Sequence, residues 1–117
     1  LIPLQELNSR NGGLSFLETG LDQKILNHIA SNHPGFSSII PEDKVSSLKY
    51  ASTSYSYLLG DCSYHFLNAI HYSQGNQTDE DTFFLVYRYH APDAVINEKM
   101  QSKYEIVFKQ HQDNMIL

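Results

Sequence analysis

Tryptophan is absent and cysteine occurs once, at Cys62, so no disulfide can form within these 117 residues. Secreted domains too small to build a core lean on such links, but a chain of this length buries roughly 65% of its unfolded surface without them. Basic residues are scarce too: eight Lys and Arg stand against 13 Asp and Glu, a formal net charge of −5. Affinity for nucleic acid comes from Lys and Arg neutralising phosphates, so this balance argues against a nucleic-acid partner, and against anionic membrane surfaces on the same ground. Long apolar runs are also missing. Phe83 to Tyr87 is one of the longest, far below the ~20 residues that a membrane-spanning helix needs. The opening Leu1-Ile-Pro-Leu-Gln carries no basic residue and is not itself a targeting signal. A start at Leu1 rather than Met implies processing or trimming. Loss of a signal peptide, as in a secreted or periplasmic protein, leaves such a start, and so does excision of a module.

What is present is globular in character. Hydrophobic residues make up 41% and charged residues 18%, with eight Tyr and six Phe, whereas a disordered chain is poor in aromatics and rich in charge. The length fits a single domain over 1–117. Residues 1–18 read as an irregular lead-in punctuated by Pro3 and Asn11-Gly12-Gly13, with Leu14-Ser-Phe-Leu as a short strand. Thr19 and Asp22 have capping-box spacing, and Leu21, Ile25, Leu26 and Ile29 recur on one face, which predicts a helix over 20–32. Asn32-His33-Pro34-Gly35 stops it. Strands are predicted over 45–59, 62–72, 82–90 and 104–110. The first is bent between Ala51 and Ser54, where its apolar positions change parity, and Gly60-Asp61 turns into the second. The tail 111–117 is expected to fray. Hairpin-length connections imply antiparallel pairing, so the expected fold is α+β: one N-terminal helix packed on a curved antiparallel sheet of about four strands.

Helix 20–32 followed by the bent run 45–59 and the strands 62–72, 82–90 and 104–110 resembles the cystatin-like superfamily, in which a curved sheet wraps one helix. The resemblance covers about residues 20–110. The inhibitory members present Gln-x-Val-x-Gly on the hairpin after the bent strand. Here that hairpin reads Ser56-Tyr57-Leu58-Leu59-Gly60, and the Pro-Trp pair of a later loop has no counterpart in a chain without tryptophan. The resemblance therefore implies the fold and not cysteine-protease inhibition.

Candidate chemistry is sparse. Cys62 and His65 suggest a nucleophile and base, but residues three apart on a strand point to opposite faces, and Cys62 shares its face with Tyr64, Phe66 and Ile70. A buried, inert thiol is the simpler reading. His65 and His71 share a strand face but would lie ~20 Å apart at the strand rise, too far for one metal ion. Asp79-Glu80-Asp81 lacks the alternating ligands of a calcium loop and reads as a solvated hairpin tip. No metal or cofactor is implied. Asn76-Gln77-Thr78 is an acceptor for N-glycosylation only if the protein is eukaryotic and secreted, and such triplets also arise by chance.

The tyrosines are the least ordinary feature. Cross-strand packing is the simpler reading of them, and they also suit a binding surface. A single helix covers one face of a sheet, so the open face would show Tyr55, Tyr57, Tyr87 and Tyr89 beside Arg88, His71 and His90. These seven are the candidate binding residues. The expected function is that of a non-enzymatic binding or accessory domain with a protein or small-molecule ligand. A small Cys/His enzyme, or a structural subunit that self-associates as a homodimer, is the alternative. Charging of His65, His71 and His90 as pH falls from 7 to 5, through about 6.5, is expected to weaken the fold or alter self-association.

Overall fold

Two glycines with positive φ, Gly12 (96°) and Gly60 (97°), set the first sharp turns of the chain. Gly60 is the third residue of the turn Leu58–Asp61, closed by the Asp61 N–H on the Leu58 carbonyl at 3.1 Å, a position that favours glycine when φ is positive. The computed structural model describes residues 1–116; Leu117, the end of the tail expected to fray, lies outside them. The chain divides into two compact units, Leu1–Ile25 with Tyr50–Tyr89, and Leu26–Lys49 with the residues from His90 onward.

The first unit is built from short antiparallel strands. β2 (Leu14–Leu17) lies between β5 (Ser52–Ser54) and β6 (His71–Ser73), and β1 (Ile2–Pro3) pairs with β7 (Phe84–Leu85). A bridge joins Leu7 to Tyr57. Leu7, Tyr57 and Ile70 are the buried large apolar side chains among the described residues. Ser15 is buried with them on β2, and its Oγ meets Ser54 Oγ at 2.7 Å. The loop Asn8–Gly13 is fastened by its own amides: Asn11 Oδ1 accepts the Asn8 N–H at 2.7 Å, and the Gly13 N–H donates to the Asn8 carbonyl at 2.7 Å.

In the second unit, β3 (Ile29–Ala30) and β4 (Ser38–Ile39) form a hairpin. Its turn is closed by the Phe36 N–H on the His33 carbonyl, with the His33 and Phe36 rings stacked at 4.5 Å. Pro41 caps the short helix α1 (Glu42–Ser47), whose acidic first-turn residues Glu42 and Asp43 complement the helix dipole. The long helix α2 (Glu98–Met115) begins where Asn97 accepts the Met100 N–H through Oδ1 at 3.1 Å. It lies on the hairpin: His111 Nδ1 donates to the Ser31 carbonyl at 2.6 Å, and Asn114 Nδ2 to Asn32 Oδ1 at 3.0 Å.

This architecture corrects the expected helix on a four-stranded curved sheet. It has seven short strands in three small sheets, a six-residue helix and one long C-terminal helix. No helix forms over 20–32. The Asn68 side-chain amide donates to the Leu21 and Gln23 carbonyls at 2.9 and 2.8 Å, taking acceptors that a helix would direct to its own next turn, and Ile29 and Ala30 join the hairpin. The run 45–59 opens inside α1 and is extended only at Ser52–Ser54. The run 62–72 turns back at Phe66–Ala69, where the Ala69 N–H bonds the Phe66 carbonyl. Of 82–90 only Phe84–Leu85 is paired, because its partner β1 is two residues long. Residues 104–110 are helical, and the tail expected to fray from 111 continues that helix to Met115. Among the described residues no helix is long and apolar enough to cross a membrane.

Candidate functional site

The turn at Phe66–Ala69 decides which side chains meet. It folds His65 back so that its ring lies 4.9 Å from His71, centroid to centroid, instead of the ~20 Å of an extended strand. Phe16 of β2 completes the group, 5.1 Å from His65 and 5.6 Å from His71, and Tyr55 meets Phe16 edge-on at 5.9 Å. His71 Nδ1 donates to the Ala69 carbonyl at 2.9 Å. His65 Nδ1 is out of solvent without a hydrogen-bond partner, as is Ser63 Oγ. Burial, and then the neighbouring His71, hold the His65 pKa below its ordinary 6.5. Phe16 and His65 carry this cluster, and sequence reasoning assigned neither to a binding site. Only the tight turn between His65 and His71 makes the group, and that turn contains neither Gly nor Pro to announce it.

The seven expected binding residues do not share one open sheet face. Tyr57 is buried, 6% exposed, against the bridge to Leu7. Tyr55 and His71 join the Phe16 cluster. Tyr87, Arg88 and Tyr89 follow β7 and are exposed, the two tyrosine rings stacked at 6.5 Å. His90 is exposed and belongs to the second unit. Asn76 is exposed in its loop, where Oδ1 accepts both the N–H and the hydroxyl of Thr78.

One strongly exposed apolar group was not expected as a site at all. In the loop between the Leu58–Asp61 turn and β6, Tyr64 and Leu67 are 79% and 89% exposed, and Phe66 meets Tyr64 edge-on at 6.2 Å. Cys62 opens this loop and is exposed, which corrects its reading as a core thiol. It is a free thiol, and no hydrogen bond among the described residues links it to a histidine. Nor, among these residues, do three or more His, Cys, Asp or Glu side chains gather as metal ligands would.

A groove of about 220 Å³ in the second unit is walled by Leu26, Ile29, Pro41 and Leu48, with Asn27, Lys44 and Ser47 as its polar members. Pockets for drug-sized ligands run to roughly 300–1,000 Å³, so it suits a side chain better than a small molecule. Comparison with known proteins finds no match: no family model, no curated protein and no solved structure is similar to this chain.

Proposed function

We propose that the protein is a non-enzymatic interaction domain that binds another polypeptide, with Tyr64, Phe66 and Leu67 as its anchors. The observation that supports this is the unspent apolar surface. The chain exposes 9437 Å², where a compact monomer of 13.4 kDa exposes roughly 6,500 Å² by surface–mass scaling. Large apolar side chains are left exposed, Tyr64 and Leu67 among them, and contiguous exposed apolar groups mark surfaces that another chain covers. Tyr and Phe on a loop are efficient anchors, because each brings a large rigid area with few rotatable bonds to freeze. A partner with an apolar pocket fits them, and the exposed Asp61 at the start of the loop supplies a polar neighbour.

In an undenatured extract of the cells that make it, the protein should migrate in a complex with a second, different polypeptide. Replacing Tyr64 and Leu67 together by Ser should release it, with unchanged circular dichroism, since both side chains are solvent-exposed. A chain that migrates free of other polypeptides, or a complex indifferent to those replacements, would remove this reading.

A further inference from the structure

Asn11 is the only asparagine in the sequence that glycine follows. Such a pair is chemically labile. The main-chain nitrogen of the next residue can attack the asparagine Cγ, and glycine has no Cβ to keep the two apart. The fold nevertheless requires both residues. Gly12 has a φ of 96°, which other residues rarely adopt. Asn11 uses both ends of its side-chain amide: Oδ1 accepts the Asn8 N–H at 2.7 Å, and Nδ2 donates to the Glu6 carbonyl at 2.8 Å. Its N–H donates to the Asn8 carbonyl at 3.2 Å, and its carbonyl accepts the Thr82 hydroxyl at 2.8 Å. The Gly12 carbonyl accepts the Ser73 hydroxyl at 3.0 Å. The attacked group and the attacking residue are thus both tied down. Swinging Cγ onto the Gly12 nitrogen would break the two side-chain bonds together.

We propose that Asn11 is a modification site that folding closes and unfolding opens: it deamidates when this loop is released, and the product cannot rebuild the loop. In the released loop the Gly12 nitrogen gives up its proton and forms a bond to Asn11 Cγ. The Cγ–Nδ2 bond breaks, and Nδ2 leaves as ammonia with that proton. Water then opens the cyclic imide at either carbonyl. Breaking the new bond leaves aspartate. Breaking the original peptide bond leaves isoaspartate, whose main chain is longer by a methylene. Neither product has a donor for the Glu6 carbonyl, and a carboxylate oxygen in place of Nδ2 repels it. In isoaspartate the added methylene also separates the Asn11 and Gly13 amides, which meet on one acceptor, the Asn8 carbonyl. Conversion therefore runs one way, and a chain that stays unfolded acquires a covalent record of it. The reaction needs water alone, and neither an enzyme nor the Tyr64 loop takes part.

Incubation of the full chain at mildly alkaline pH, with and without unfolding urea, tests it. Peptide mapping by mass spectrometry locates the conversion, and enzymatic methylation detects isoaspartate. Asn11 should convert at least about tenfold more slowly in the folded chain, since two hydrogen bonds must break together first. Gly13→Ala keeps the labile pair but sets a Cβ 2.7 Å from the Asn8 backbone. Without urea it should convert faster than the parent chain. Converted chain freed of urea, and Asn11→Asp, should both melt roughly 4 °C or more below the parent. Equal rates with and without urea, or conversion in urea at another asparagine ahead of Asn11, would overturn the inference. So would a Gly13→Ala chain that converts no faster than the parent, or products that melt as the parent does.

Discussion

Beside Phe16, the ring of His65 keeps Nδ1 away from water with no partner to replace it, so protonation there would bury a charge beside a second imidazole. Because its folded pKa is lowered, His65 contributes stability that is fully present above its unfolded value of about 6.5 and is lost as pH falls toward the folded value. The melting temperature should therefore drop between pH 7 and pH 5, and drop less in His65→Phe, which keeps the aromatic contact without the titrating group. Equal drops in the two proteins would show that other groups carry the acid sensitivity. The composition raises the expectation of acid weakening through His65, His71 and His90; the burial that sets His65 apart comes from its approach to His71, which a turn and not a strand makes. Gly13 offers a steric counterpart. A Cβ at this position would stand 2.7 Å from the Asn8 backbone, which its own hydrogen bonds hold in place. Gly13→Ala should cost about 1–3 kcal/mol in denaturant titrations, while Gly75→Ala, where a Cβ meets nothing within 4 Å, should cost little.

At the scale of elements, α2 shows why the fold could be misread. Tyr104, Ile106 and Phe108 alternate as a strand would, yet Met100, Tyr104, Val107, Phe108, His111 and Met115 follow helical spacing over more than twice the length. The longer pattern prevails, helped by Glu98, Lys99, Met100 and Gln101 in the first turn and by the cap from Asn97. Half-burial of Val107 and His111 marks the face that meets the β3–β4 hairpin. Asn97→Ala should lower stability by about 1 kcal/mol, with amide exchange at Met100 and Gln101 accelerated first. Equal protection in the variant would mean that packing against the hairpin, and not the cap, holds the first turn. The strand Leu14–Leu17 and the turns at Asn11-Gly12-Gly13 and Gly60-Asp61 were legible, because Gly and Asn state their backbone requirements locally, whereas Asn32-His33-Pro34-Gly35, read as the stop of a helix, turns a hairpin instead. The failed helix at 20–32 was not, since Asn68, more than 40 residues away in sequence, takes the carbonyls that would have closed it.

For the whole molecule, the same surface that argues for a partner limits the stability of the isolated chain. Denaturant sensitivity scales with the area exposed on unfolding. With 9437 Å² already exposed, the urea m-value should be about three quarters of that for a compact domain of equal length, by the same area scaling. A full-sized m-value would mean that the chain in solution buries far more than this, as it would in an oligomer. The division into two units has a different consequence, one of timing. The first unit is complete once Tyr89 has been made, but it carries within it the excursion Leu26–Lys49, which belongs to the second. At synthesis rates of about 5–20 residues per second, that excursion waits a second or more before α2 arrives to supply His111 to Ser31, 80 residues further along. During that wait the hairpin's apolar face has nothing to lie against. A pause in translation beyond residue 89 lengthens the wait, and codon changes there that leave the protein sequence untouched should alter how much of it is recovered folded.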